Sequence, residues 1–227
     1  SMFLLLGFLF SQIMVFLFGL LYVMSKYYFS NDLAHLVPLP IKPSYIISSK
    51  FVTLMISEYL TTLPLILPFI IMYGIKGGES IIYWVYSIFL LITLPIIPLV
   101  LSSILIMIFM KYTNIGAKKD LIRTISAILF IFVMIYFQFK IQSITQNALL
   151  QGDNFLINLI SDSNLLVKKL GLGFPPSMWG AMALSNYHSL TGLIYLLLFI
   201  GVGIFSFAIM IFLSERLFFD GLIGNIE

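Results

Sequence analysis

Of the 227 residues, 61% are hydrophobic and only 9% are charged, and the mean hydropathy is +1.10; soluble domains run at about 45–50% apolar and about 25% charged. A soluble fold of this length has no interior large enough for so much apolar surface, so a bilayer must be the solvent for most of the chain. The lack of cysteine excludes disulfides and thiolate metal sites, and a formal net charge of +3 is too small to point to nucleic acid.

The chain opens on "SMFLLLGFLF". A secretory signal would carry a charged start and a small-residue cleavage site, and neither is there. Ser1 ahead of Met2 reads as a cloning boundary or a trimmed fragment, with a native start at Met2 as the alternative. A spanning helix needs about 20 mostly apolar residues. Five segments supply them: 2–24, 51–73, 81–110, roughly 121–139 and 190–213. Backbone groups in lipid must be bonded internally, and the alternation of barrel strands is absent. The expected fold class is therefore all-α, a polytopic helical membrane protein with residues 1–227 as a single transmembrane domain. The third span is long: at about 1.5 Å per residue it would reach about 45 Å against a hydrocarbon core of about 30 Å. It is expected to tilt and to kink at Pro95 and Pro98, as the second span is at Pro64 and Pro68.

Charge in the loops orients the spans. Residues 25–50 carry Lys26, Lys42 and Lys50 against Asp32, and residues 111–123 carry Lys111, Lys118, Lys119 and Arg123 against Asp120. The turn "GIKGGES" balances one Lys with one Glu. Short basic loops stay in the cytoplasm, so 25–50 and 111–123 are expected inside, and 74–80 and 144–189 outside. This places the amino terminus outside and the carboxyl terminus inside.

Within 144–189, Leu156, Ile160, Val167 and Leu170 recur at roughly helical spacing before Lys168 and Lys169 and the breakers Gly171 and Gly173. Pro175 and Pro176 then suit the opening of a second short helix, with Trp179 at headgroup level. One or two short amphipathic or re-entrant helices on the outer leaflet are expected here.

Polar residues inside the spans are few. Glu58 has two readings: a gating or substrate-path residue, or a structural hydrogen bond to a neighbouring helix or a carboxylate reaching the inner interface. The second is the more economical. Gln138 in the fourth span reads as interhelical glue before ligand, and Gly7 with Ser11 makes a small-xxx-small pair for close packing. Nothing suggests catalysis. His35 and His188 fall in loops assigned to opposite faces, no H-E-x-x-H or G-x-S-x-G occurs, and "YGIKGGES" lacks the Walker A spacing that cradles phosphates. No catalytic, cofactor-binding or metal-ligating residue is expected, and the chain does not read as an enzyme.

The most polar stretch between the first two spans is "NDLAHLVPLPIKPSYIISSK", residues 31–50. Asn31 or Asp32 can cap a short helix, which Pro38 and Pro40 stop. Ser44 can cap the next helix, which runs into the membrane through Lys50. The result would be a stiff knob showing Leu36, Leu39 and Ile41 beside Lys42. Such a knob suits a partner's groove; a loop lying on lipid headgroups fits equally well.

"FSNDLAHLVPLPIKPSYIISSKF" resembles the cytoplasmic segment of bacterial type-2 ABC exporter permeases. "FPPSMWGAMAL" and "SERLFFDGLIGNIE" resemble their last outer helix and last span, so the resemblance covers most of the chain. It implies an exporter half with an amphipathic leading helix, six spans, a coupling helix between the second and third, and outer helices between the fifth and sixth. The five visible spans would be spans two to six, and the missing first one implies truncation at the amino terminus. The coupling role would fall to Asp32, Leu36, Leu39, Pro40, Ile41, Lys42 and Pro43. Pro175, Pro176 and Trp179 would lie on the outer helices. The resemblance further implies an ABC ATP-binding subunit that carries ATP and magnesium, and a second membrane half in a homodimer or pseudo-dimer. The setting would be the lipid bilayer of the bacterial cytoplasmic membrane, with outward transport and no nucleic-acid partner. The alternative is a membrane assembly or immunity protein that transports nothing.

Overall fold

The computed structural model describes residues 2–30, 32–36, 41–112 and 174–223, with residues 131, 135, 139 and 142 besides. The chain divides into two units, residues 118–173 and the remainder. In the first of these only Ile131, Ile135, Phe139 and Gln142 are described, each helical and exposed. The expected span 121–139 is otherwise outside the described residues, as are Gln138 and the first part of the expected outer segment, 144–173.

The larger unit is all-helical among its described residues, as composition requires. In chain order its helices are α1 (Met2–Tyr28), α2 (Leu33–Leu36), α3 (Pro43–Gly77), α4 (Ile81–Thr93), α5 (Ile96–Tyr112), α6 (Pro175–Ser185) and α7 (Leu190–Ile223). Four stretches among the described residues are long and apolar enough to cross a membrane: Met2–Tyr28, Pro43–Gly77, Ile81–Lys111 and Leu190–Phe218.

α3 runs for 35 residues without interruption. Its start differs from the expected cap at Ser44. Lys42 holds the N-cap position in extended backbone without a side-chain capping bond, and Pro43 follows at the helix start. Proline's fixed φ suits the first turn and its missing N–H costs nothing there, so the ring, rather than a serine hydroxyl, sets the boundary. The far end closes on Gly78 at φ 62°, where its N–H reaches the Ile75 carbonyl at 3.2 Å and the Glu79 N–H reaches the Gly74 carbonyl at 3.0 Å. That left-handed turn is one a side chain resists. Pro64 and Pro68 lie inside α3, both exposed, and the helix continues through them.

The third expected span is instead two helices, broken at Leu94–Pro95. Pro95 offers no N–H to the carbonyl one turn back, and its ring crowds that turn. The break also interrupts the ladder at the next carbonyl, Ile92, to which the Tyr59 hydroxyl donates from α3.

α1 is the inner helix, packed on α3, α5 and α6, while α7 packs on α5, α6 and α3. Leu4, Leu5, Phe8, Val15, Val23 and Tyr27 of α1 are fully buried. Close approach is built with small residues. A Cβ on Gly7 would fall 2.6 Å from the Phe69 ring, and one on Gly180 2.7 Å from the Phe8 ring. Ser102 Oγ lies 2.9 Å from the Phe16 carbonyl and so ties α5 to α1, and the Tyr27 hydroxyl meets Ser103 Oγ at 3.3 Å. α6 opens on Pro175 and Pro176, as the two prolines suggest. Of the two forms expected, amphipathic or re-entrant, it is not an amphipathic helix lying free on the surface: Pro176, Ser177, Gly180, Ala181, Ala183 and Leu184 are all buried, because short side chains let it nest against α1 and α7.

Candidate docking site at the start of the second long helix

The next helix after α1 is α2, a single helical turn. Asp32 sits just before it, with its carbonyl accepting from the Leu36 N–H at 3.0 Å. Its carboxylate does not cap the helix. Both oxygens accept from Lys50 Nζ, at 2.9 and 3.0 Å, and the same ammonium donates to Ser30 Oγ at 2.6 Å. Ser30 in turn donates to the Lys26 carbonyl at 2.8 Å. Lys50 projects from the second turn of α3 and is buried, whereas Asp32 is about half exposed, at 56%. One ammonium thus joins the end of α1, the start of α2 and the first turns of α3. The Ser30 hydroxyl and the Lys50 ammonium beside it hold the Asp32 carboxyl below its ordinary range.

Around this tie the chain offers a mixed surface. Leu33 is buried beneath α2; Leu36, Ile41 and Pro43 are half-buried, and Lys42 is exposed. Of the coupling residues read from the sequence, Asp32, Leu36, Ile41, Lys42 and Pro43 belong to this one end of the unit. Leu39 and Pro40 lie outside the described residues. Pro175, Pro176 and Trp179 are far from it, on α6, which packs near the amino-terminal half of α1. Sequence reading missed the clamp itself. Lys50 counted only as loop charge and Ser30 not at all, although a Lys and an Asp flanking a proline-rich segment were a usable signal.

The opposite end of α3 is pinned differently. The Tyr187 hydroxyl, from the turn between α6 and α7, donates to Glu79 Oε2 at 2.6 Å and accepts from the Ser80 N–H at 3.2 Å. Its ring packs edge-on against Tyr83, with centroids 5.7 Å apart.

A family model described as "Putative ATP-binding cassette" matches residues 1–226. The chain belongs to this family. No curated protein and no solved structure matches it.

The dipeptide Gly-Lys on which a Walker A motif closes occurs nowhere in the 227 residues. The glycine-rich turn among the described residues, 74–80, is a helix C-cap held by Tyr187. Among the described residues no group of three or more His, Asp or Glu could hold a metal ion. What the family member does carry is the clamp and, within α3, Glu58. That side chain is fully buried, and neither carboxylate oxygen has a hydrogen-bond partner. The expected structural bond from Glu58 to a neighbouring helix is therefore not made among the described residues, nor does the carboxylate reach an exposed interface. Gln12 on α1 is equally buried and equally unpartnered.

Proposed function

We propose that this chain is a membrane-spanning permease component of an ATP-driven exporter in a bacterial cytoplasmic membrane. In this reading it binds no nucleotide and performs no catalysis. ATP and magnesium belong to a separate ATP-binding subunit, which grips residues 32–43, and a second membrane half completes the path as a homodimer or pseudo-dimer.

The observation that carries this reading is the clamp. A polar knob on a loose tether would swing without moving the membrane helices. Here Lys50 fastens the knob to α3, and α3 is a continuous 35-residue rod. Displacement of residues 32–43 would be passed to the far end of α3, which Tyr187 joins to the α6–α7 turn. ATP can drive such a change only if its subunit binds one conformation of the knob more tightly than another, and the exposed Lys42 beside half-buried Leu36 and Ile41 gives a partner both charge and apolar surface to grip.

The test is co-purification from the native membrane. An ATPase bearing a Walker A motif should come down with the chain, and Lys42→Glu should abolish its recovery at least tenfold while leaving membrane insertion unchanged. Recovery of the chain without any such ATPase would remove the exporter reading and leave that of a non-transporting assembly protein. An unaltered yield with Lys42→Glu would move the docking surface elsewhere.

A further inference from the structure

Glu58 has no use in the coupling reading above, and its surroundings set a chemical problem of their own. Within 2–25, 51–75, 81–110 and 189–214, the apolar stretches of α1, α3, α4–α5 and α7, it is the sole Asp, Glu, Lys, Arg or His. The nearest lysine along α3, Lys50, is two turns away and already bound to Asp32 and Ser30. The next is Lys76, exposed at the other end of the helix. The remaining titratable groups of these stretches are tyrosines. Tyr59, beside Glu58 in sequence, turns its hydroxyl to the Ile92 carbonyl, and Tyr83 gives its own to the Ile70 carbonyl at 2.8 Å. So α3 and the helices packed on it, α1, α4 and α7, present no counter-charge to the carboxylate and no protein donor bonds either oxygen.

A bare carboxylate in such a setting is not viable, because its charge must be neutralised or solvated. The Tyr59–Ile92 bond also fixes its depth. Glu58 lies level with the Leu94–Pro95 break, two residues beyond Ile92, where Pro95 leaves the Leu91 carbonyl without its helical donor. Broken membrane helices expose backbone oxygens of the kind that coordinate small cations. A buried carboxylate with two unused oxygens and no basic side chain within these spans to neutralise it is an anionic ligand for a cation.

We propose that Glu58 is the anionic ligand of a monovalent-cation site inside this helical unit, filled by a proton or an alkali ion. The site stands whether or not residues 32–43 dock an ATPase, and its failure would leave the exporter reading untouched.

The probe is dicyclohexylcarbodiimide, which adds to protonated carboxyls buried in membranes. The full chain in lipid nanodiscs is labelled in sodium, potassium or choline chloride at one ionic strength, from mildly acid to mildly alkaline pH. The label is located by mass spectrometry, with Glu58→Gln as the control. Labelling at Glu58 that sodium or potassium slows severalfold relative to choline assigns the site to an alkali ion. Labelling indifferent to salt but declining as pH rises assigns it to the proton. Thermal unfolding of both chains under the same conditions guards against an inaccessible probe: the midpoint of the wild type should respond to salt or pH, and that of Glu58→Gln should not. Identical responses in the two chains, with no label at Glu58 under any condition, overturn the site.

Discussion

Asp32 and Lys50 show how a residue acquires its role from its neighbours. The sequence offered Asp32 as a helix cap and Lys50 as loop charge; the fold makes them one contact, at 2.9 Å. Because the carboxyl is held below its ordinary value of 3.8, the sign is that of a depressed acid. The contact contributes fully above that ordinary value and is lost as pH falls through the lower folded value. Asp32 should therefore titrate by carbon-13 NMR with a midpoint below that of a free aspartate, and Lys50→Met should raise it towards the ordinary range without removing the part due to the Ser30 hydroxyl. The energy involved is small, about 1 kcal/mol or less, since half of the carboxylate is in water. Its value would lie in position rather than stability. Asp32→Asn should leave unfolding nearly unchanged while loosening α2, seen as faster amide exchange at Leu36.

Two pairs of prolines separate what an element inherits from its sequence from what its surroundings impose. Pro64/Pro68 and Pro95/Pro98 look equivalent in the chain, and a kink is a fair expectation for both. α3 nonetheless stays helical through the first pair, and the α4–α5 span parts at Pro95. Pro64 and Pro68 are on the open side of α3, whereas Pro95 and Pro98 are buried between helices. At the buried break the freed carbonyls need protein donors, and the Tyr59 hydroxyl is one. Tyr59→Phe removes it and should cost about 1 kcal/mol, the usual net contribution of one intramolecular hydrogen bond. The check is a lower thermal midpoint in detergent. If the midpoint does not move, water has taken the hydroxyl's place.

At the scale of the whole molecule, the spans sort into covered and open ones. α1 and the α4–α5 span have half or more of their apolar window buried, while α3 and α7 present most of theirs outward. α7 does so with the highest mean hydropathy of the four, 2.8, against 1.8 for α3. A strongly apolar face that no helix among the described residues covers is a face for lipid. Ile204, 61% exposed at the centre of the Leu190–Phe218 span, should accordingly not tolerate charge: Ile204→Arg is expected to oppose insertion by about 2.5–3.5 kcal/mol, read from the inserted fraction in a microsomal assay.

Composition and hydropathy alone determined that this is a helical membrane protein, roughly where its long helices run, and that a more polar stretch separates the first two, because a bilayer requires about 20 apolar residues per crossing whatever their neighbours. Pro43, Pro175 and Pro176 marked helix starts for a reason just as local, their fixed φ. Tertiary structure alone decided that Lys50 belongs to Asp32, that Tyr187 holds the turn after α3, that α6 is packed rather than superficial, and that Glu58 has no partner in its own helices. Each of these depends on which groups lie within about 3 Å across helices far apart in sequence. Nothing in one dimension carries that distance.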